Sequence, residues 1–245
     1  MGKASWSVEV LLAGSWRGAT SALVSNGRHH IIVDTGMPHE AHLLAQAVEK
    51  RGLHLSAIRL VINTHFHVDH VSNNVLLQNS VIYGSQESYE WCRSLYSELL
   101  DEQNWEKLAL KYYPETFDYA HARENMLRLR KFALRWWDHR RLGDPSQFHW
   151  IETHPLPEGL EGFVTSGHVP GHTSVIVHGA YPAVVVAGDA LLTRDHDEQV
   201  LTMIPHNRAQ FHRDRARILS LPGRILPGHD QEFSVPPVGT GASNG

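Results

Sequence analysis

Residues Asn63-Thr64-His65-Phe66-His67-Val68-Asp69-His70 place four metal-capable side chains within six residues, in the order His-x-His-x-Asp-His. Imidazole nitrogens and carboxylate oxygens are the donors that a borderline-soft divalent cation such as zinc accepts. In an extended segment alternate side chains share a face, so His65, His67 and Asp69 project together. A turn near Asp69 swings the adjacent His70 toward a second ion. Two His then hold one cation, Asp69 and His70 hold another, and the pair clamps and activates one water. The chain has 19 His, so chance pairs are common, but a cluster of four at this spacing is not.

The elements that must position this cluster are legible around it. Residues 58–62 form an apolar run that reads as a strand leading into the motif. Residues 8–13, 22–25, 31–33, 81–83, 162–165, 174–178, 183–187 and 224–226 read as further strands, bounded by glycine or proline. The run 183–187 is apolar throughout, as in a strand buried on both faces, and Asp189 follows it. A carboxylate at such a strand end is costly unless a cation pairs with it. Residues 38–51 read as a helix with Pro38 in its first turn and Gly52 as its stop, and 206–221 as another.

Residues 85–147 interrupt the β pattern. They are rich in aromatic and charged side chains, among them Tyr96, Trp105, Phe117, Tyr119, Trp136 and Trp137, and read as two or three helices divided near Pro114. Most of these aromatics suit a local core; the functional reading is a cap with an apolar wall over the site, or a homodimer surface. The basic run Arg128-Leu129-Arg130-Lys131, with Arg135, Arg140 and Arg141, is offset by neighbouring acids and reads as a solvated helix face.

Composition narrows the function classes. A chain of 245 residues suits one domain over 1–238, with a disordered 239–245 tail. The net charge of -4 provides no global basic field for nucleic acid or anionic lipid. The single cysteine, Cys92, forms no internal disulfide. The first residues lack a secretory pattern and no apolar run is long enough to span a bilayer, so a cytoplasmic protein with no membrane partner is expected.

These residues together resemble the metallo-β-lactamase superfamily. The His65–His70 motif is followed in order by Gly171-His172, Asp189 within Ala187-Gly188-Asp189-Ala190, and His229 within Leu226-Pro227-Gly228-His229, and an early Asp34-Thr35-Gly36 also fits. The resemblance spans about residues 8–233 and implies an α+β, four-layer αββα sandwich with the helical insert set into it. By position it implies that His65, His67 and His172 hold one ion, that Asp69, His70 and His229 hold a second, and that Asp189 bridges them. It implies two divalent metal ions, zinc first, with iron or manganese as alternatives. Asp34 is implied to lie beneath the metals and orient a ligand. The implied chemistry is attack by a metal-bridging hydroxide, with Asp69 and Asp189 as the catalytic carboxylates.

Substrate class is less sharply marked. A bridging Asp in place of Cys resembles the glyoxalase II, lactonase and phosphodiesterase branches. The flavin–di-iron branch carries Glu where this chain has His67, which argues against a redox role. Acyl-homoserine lactonases carry Tyr where this chain has Leu192. With His172 as the third ligand, the second Pro-Gly-His of lactonases and glyoxalase II is absent, because Thr173-Ser174-Val175 follows directly. The short His172-to-Asp189 interval is similar to the subgroup around metallo-β-lactamase domain-containing protein 1, members of which are linked to RNA cleavage. The expected substrate is a small ester, lactone or related carbonyl compound, with β-lactam hydrolysis or phosphodiester cleavage as the alternative. A non-catalytic binding protein is disfavoured because every ligand position is filled.

Overall fold

The computed structural model describes residues 5–16, 18–101, 104–115, 121–195 and 205–237. The expectations for the 239–245 tail and for Phe117 and Tyr119 lie outside the described residues.

Eleven strands form two sheets among the described residues. The first holds β1 (Ser7–Leu12), β2 (Ser21–Ser25), β3 (His30–Val33), β4 (Leu60–Ile62), β5 (Val81–Gly84) and β6 (Phe148–Trp150), side by side in that order. Its first three strands run antiparallel and β3 to β6 run parallel. The second holds β7 (Leu160–Val164), β8 (Thr173–Val177), β9 (Val184–Gly188), β10 (Gly223–Pro227) and β11 (Phe233–Val235). Only β9 and β10 are parallel there.

Side-chain alternation sorts the strands into layers. Ala22, Val24, Ile31 and Val33 meet Val175, Val177, Val184 and Val186 in a core between the sheets. The intervening Leu23 and Ile32 face the other way, onto Leu44 and Val48 of helix α1 (Ala41–Glu49). Val185 and Ala187 likewise face Ile218 of α6 (Arg208–Leu219). Helix, sheet, sheet and helix make the αββα sandwich that the family resemblance implied.

Three details differ from expectation. Within 58–62 the strand begins only at Leu60, where pairing with Val81 starts; Leu55–Ala57 is a 3₁₀ turn and Ile58 is already buried. The helix expected over 38–51 opens as a 3₁₀ turn, Pro38–Glu40, before α1. Two short strands lie beyond those expected: β6 is half-buried throughout and is held by pairing with β5, while β11 alternates, with Phe233 and Val235 turned to the core and Ser234 exposed, and pairs with β10.

The helical insert contains α3 (Gln86–Asp101), α4 (Trp105–Tyr112) and α5 (Ala122–Trp136). Leu99, Leu108, Tyr112 and Met126 share an apolar cluster with Phe66 and Val68 of the metal motif. Because β6 rejoins the sheet beside β5, the insert is an enlarged crossover between adjacent strands, anchored at both ends. No helix among the described residues is long and apolar enough to cross a membrane.

Candidate metal centre

The site forms where strands end. Asp34 follows β3, the His65–His70 motif follows β4, Asp189 follows β9 and His229 follows β10. Since β3 and β4 are parallel, as are β9 and β10, these ends emerge along one edge of the sandwich. The motif runs extended through His67, then closes into a single helical turn, α2 (Val68–Val71), which carries Asp69 and His70 round as expected.

Two groups of donors result. His65, His67, His168 and Asp189 form one; Asp69, His70 and His229 form the other, and within each group the donor atoms lie within 4.8 Å of one another. Asp189 stands between them. Its Oδ2 is 3.3 Å from His168 Nε2 and 3.8 Å from His65 Nε2, while its Oδ1 is 3.2 Å from His70 Nε2 and 3.3 Å from His229 Nε2. Asp69 Oδ2 lies 3.4 Å from His229 Nε2.

The outer ring nitrogens aim these imidazoles. The Ser15 carbonyl accepts from His229 Nδ1 at 2.8 Å, so one ring proton is fixed there and Nε2, facing inward, is the nitrogen that a cation would take once its proton is displaced. Asp34 Oδ2 takes His70 Nδ1 at 2.8 Å and Thr64 Oγ1 at 2.7 Å, and Asp34 Oδ1 accepts Thr64 N–H at 2.8 Å. Asp34 therefore orients His70 from beneath. It does so at a φ of +56°, left-handed backbone that Asp tolerates better than most residues. Inside the ring, Nε2 of His65, His67, His70 and His229 and both oxygens of Asp189 are buried without a hydrogen-bond partner. So many orphaned donor atoms, converging and buried, would be costly in a merely structural cluster. Their nitrogen and oxygen chemistry fits two divalent cations.

One predicted residue is misplaced. His172 is not in either group. Its Nε2 accepts the backbone N–H of Asp189 at 3.0 Å, and its Nδ1 lies 2.8 Å from Thr165 Oγ1, so both nitrogens are engaged. The third histidine beside His65 and His67 is His168, whose Nε2 approaches His67 Nδ1 at 3.1 Å. The signal was present in Gly167-His168-Val169-Pro170-Gly171-His172, two Gly-His pairs in tandem. With His168 in the third place, Pro170-Gly171-His172 becomes a second glycine–histidine pair shortly after the third ligand, contrary to the expectation that none follows it.

The loop carrying His168 rests on α6. His206 N–H donates to the His168 carbonyl at 2.8 Å, Asn207 N–H to the Gly167 carbonyl at 2.9 Å, and Gly167 N–H to Asp214 Oδ2 at 2.8 Å. A side chain at Gly167 would collide with the α6 backbone at Phe211. Gly188 is equally required: at φ +54°, a Cβ there would lie 2.8 Å from His172 Nε2.

Electrostatics divide the two groups. Burial, the largest influence, lowers His67 to about 4 and holds His65 and His168 well below the ordinary imidazole value. Burial is again the largest single influence and opposes charge on His229 and His70, but the surrounding carboxylates together outweigh it: Asp189 and Asp69 lift His229 to about 9, and Asp189, Asp34 and Asp69 raise His70. Burial pushes the Asp189 carboxyl upward, and the imidazoles of His229, His70 and His168 more than reverse this, holding it well below the usual range.

A cavity of about 870 Å³ opens above the clusters, with His67, Asp69, His168 and His229 among its lining residues. The insert supplies its apolar wall through Tyr96, Tyr113, Met126, Leu129, Phe132 and Trp136. Trp137 does not line it; it stacks on Tyr96 at 4.5 Å. Arg128 and Arg135, read from sequence as part of a solvated face, stand at the cavity.

Two sheets between helices, with paired His–Asp clusters around one shared carboxylate at the strand ends, define an αββα protein with a candidate metal centre at one edge of the sandwich. The chain belongs to the metallo-beta-lactamase superfamily, whose family model matches residues 14–229. It is 28% identical over 220 residues to human metallo-beta-lactamase domain-containing protein 1, which covers 89% of this chain and 64% of that protein, so the chain spans less than two thirds of this relative's length. Among solved structures, a probable metal-dependent hydrolase from Staphylococcus aureus is similar with a TM-score of 0.63 at 15% identity, covering 96% of this chain and 92% of the other. AidC, a dizinc quorum-quenching lactonase, is similar with a TM-score of 0.56 at 14% identity, covering 97% and 93% respectively.

Proposed function

We propose that the chain is a binuclear metal-dependent hydrolase of small esters, lactones or related carbonyl compounds. In this reading His65, His67 and His168 hold one cation, Asp69, His70 and His229 hold the other, and Asp189 bridges them. Zinc suits the histidine-rich set best. The observation that carries the reading is the position of Asp189, with one carboxylate oxygen turned to each group at 3.2–3.8 Å from four imidazole nitrogens. When bound, the cations supply a Lewis-acidic centre and activate water as the nucleophile.

The chain's own residues supply the remainder. Asp34 and the Ser15 carbonyl keep the Nε2 lone pairs of His70 and His229 directed inward. Asp69 borders both the cluster and the cavity, where its carboxylate is placed to take the proton released by the attacking water and hand it to the leaving oxygen. The aromatic wall excludes water and holds an apolar acyl group. Leu192, buried where the lactonases carry Tyr, presents no hydroxyl, which favours activated esters over lactones. The test is metal analysis of the reconstituted protein with a panel of aryl esters, thioesters, lactones, β-lactams and phosphodiesters. Two ions per chain with turnover of carbonyl substrates is the expected result; one ion or none, with no turnover, overturns it.

Phosphodiester hydrolysis is the second reading, favoured by Arg128 and Arg135 at the cavity. The net charge of -4 counts against a long polynucleotide, which recruits many cations.

A further inference from the structure

We propose that Arg128 and Arg135 form an anion-recognising lip, so that the preferred substrates carry a carboxylate or phosphate at the end remote from the scissile bond. This rests on the hydrolase reading for the word substrate, but not for the binding it describes.

The first observation is a local reversal of charge. The chain is net acidic, with 26 Asp and Glu against 22 Lys and Arg. The cavity is not: among its described lining residues Asp69 is the one carboxylate, and it belongs to the metal-type cluster. Beyond that cluster the charged side chains lining it are Arg128 and Arg135, both cationic.

The second observation is helical phase. On α5, residues 125, 128, 129, 132, 135 and 136 recur at intervals of three and four, and all line the cavity. Arg128 and Arg135 are two turns apart, about 10 Å along the axis, with Phe132 between them on the same face. Arg130, by contrast, leaves this face and donates through Nε to the Leu99 carbonyl at 3.1 Å. The basic run therefore divides between the cavity and the insert's own structure.

The third observation is availability. Arg135 lies over the Trp136 ring, 4.8 Å from its centroid, and has no carboxylate partner among the described residues. Stacking restrains the guanidinium while leaving its in-plane N–H groups free for an oxyanion. Arg128 has Glu124 at 3.8 Å, with both side chains more than half exposed, a contact too long and too wet to saturate it. A guanidinium fork matches carboxylate and phosphate alike. An apolar wall above a reactive floor, with two cations at the lip, fits an elongated molecule: acyl bond inward, hydrocarbon or aromatic body along the wall, anion outward.

The test uses the metal-loaded full chain. Calorimetry compares three matched amides that differ only at one end: N-hexylsuccinamate, its neutral diamide, and the corresponding phosphoethyl amide. A matched pair of 4-nitrophenyl esters, one with a terminal carboxylate and one without, reports kcat/KM. The expected result is a preference of about tenfold or more for the anionic member at low salt, falling as salt rises. In the Arg128→Gln/Arg135→Gln double variant the ratio should fall toward one, and in the Arg→Lys pair it should recover in part. The carboxylate and phosphate arms decide which oxyanion is preferred. Equal binding of all three amides overturns the proposal. So does a preference that survives the double variant, because the anion then sits on the His–Asp cluster. Selective loss of single-stranded RNA binding in the double variant, with no discrimination among the amides, overturns it in favour of a polynucleotide. Anion-selective binding without ester turnover leaves the lip standing and removes the hydrolase reading instead.

Discussion

His172 Nε2 accepts a hydrogen bond from the backbone N–H of Asp189 at 3.0 Å. That acceptor role places the ring proton on Nδ1, which donates to Thr165 Oγ1 at 2.8 Å. Thr165 then donates to Ser174 Oγ at 3.0 Å, and Ser174 to the Ala187 carbonyl at 2.8 Å. A directed, buried chain of four hydrogen bonds thus begins and ends on the strand that carries Asp189. Burial lowers His172 to about 3, so the ring stays neutral, as this polarity requires.

His168 and His172 should therefore fail differently when altered. His168→Ala should lower metal content toward one ion per chain while leaving the melting temperature of the metal-free protein nearly unchanged. His172→Ala leaves a buried amide unsatisfied and should cost about 1–3 kcal/mol of stability, with metal loss secondary. Metal analysis and thermal denaturation of both variants decide this; the reverse pattern would return His172 to the ligand set.

Asp189→Ala should abolish hydrolysis and leave the fold largely intact. Both groups lose the carboxylate they share, so metal content should fall below two per chain. Circular dichroism, metal analysis and single-turnover assays read the three effects, and retained activity with two ions would exclude Asp189 as the bridge.

Between pH 6.5 and about 9 the metal-free protein should lose stability as pH rises. The folded value of His229 is about 9, above the ordinary 6.5, so its protonated form favours folding. That contribution is complete below pH 6.5 and disappears as pH rises through about 9. Cations displace these protons, so metal affinity should increase over the same range. Melting temperature measured across it should decline for the metal-free chain and stay flatter for the loaded one. A metal-free profile that rises with pH would contradict the assignment.

Trp136 and Trp137 should separate binding from packing. Trp136→Ala removes part of the cavity wall and should raise KM several-fold with metal content unchanged. Trp137→Ala loses the stack on buried Tyr96 and should lower stability by at least about 1 kcal/mol with a smaller effect on KM. Steady-state kinetics and thermal melts of the two variants provide the comparison.

Cys92 should be chemically silent. Burial pushes its thiol up to about 12, so almost no thiolate exists at pH 8. A disulfide reagent should label no thiol in the native protein and one per chain after denaturation; rapid native labelling would show that α3 opens.

The residues themselves marked most of the strands and the His65–His70 cluster, and their resemblance to a known family implied the sandwich. The His65–His70 motif encodes its own geometry, because alternate side chains of an extended segment share a face and one helical turn redirects the next. Strands such as β3 and β9 declare their layers through apolar residues on both faces. The choice between His168 and His172 was different. Both follow glycine in one short loop, and local sequence cannot rank them. It was decided by tertiary contacts: β8 begins at Thr173, paired with Val164, which pins His172 against the end of β9. His168 lies farther out in the turn, where the backbone N–H groups of His206 and Asn207 hold the loop toward the cluster. Arg128 and Arg135 likewise read as solvated charges until the fold of the insert turned their face of α5 toward the cavity. Short-range periodicity specifies which way a side chain leaves its own strand or helix; what it meets there depends on elements distant in sequence, and only packing brings those together.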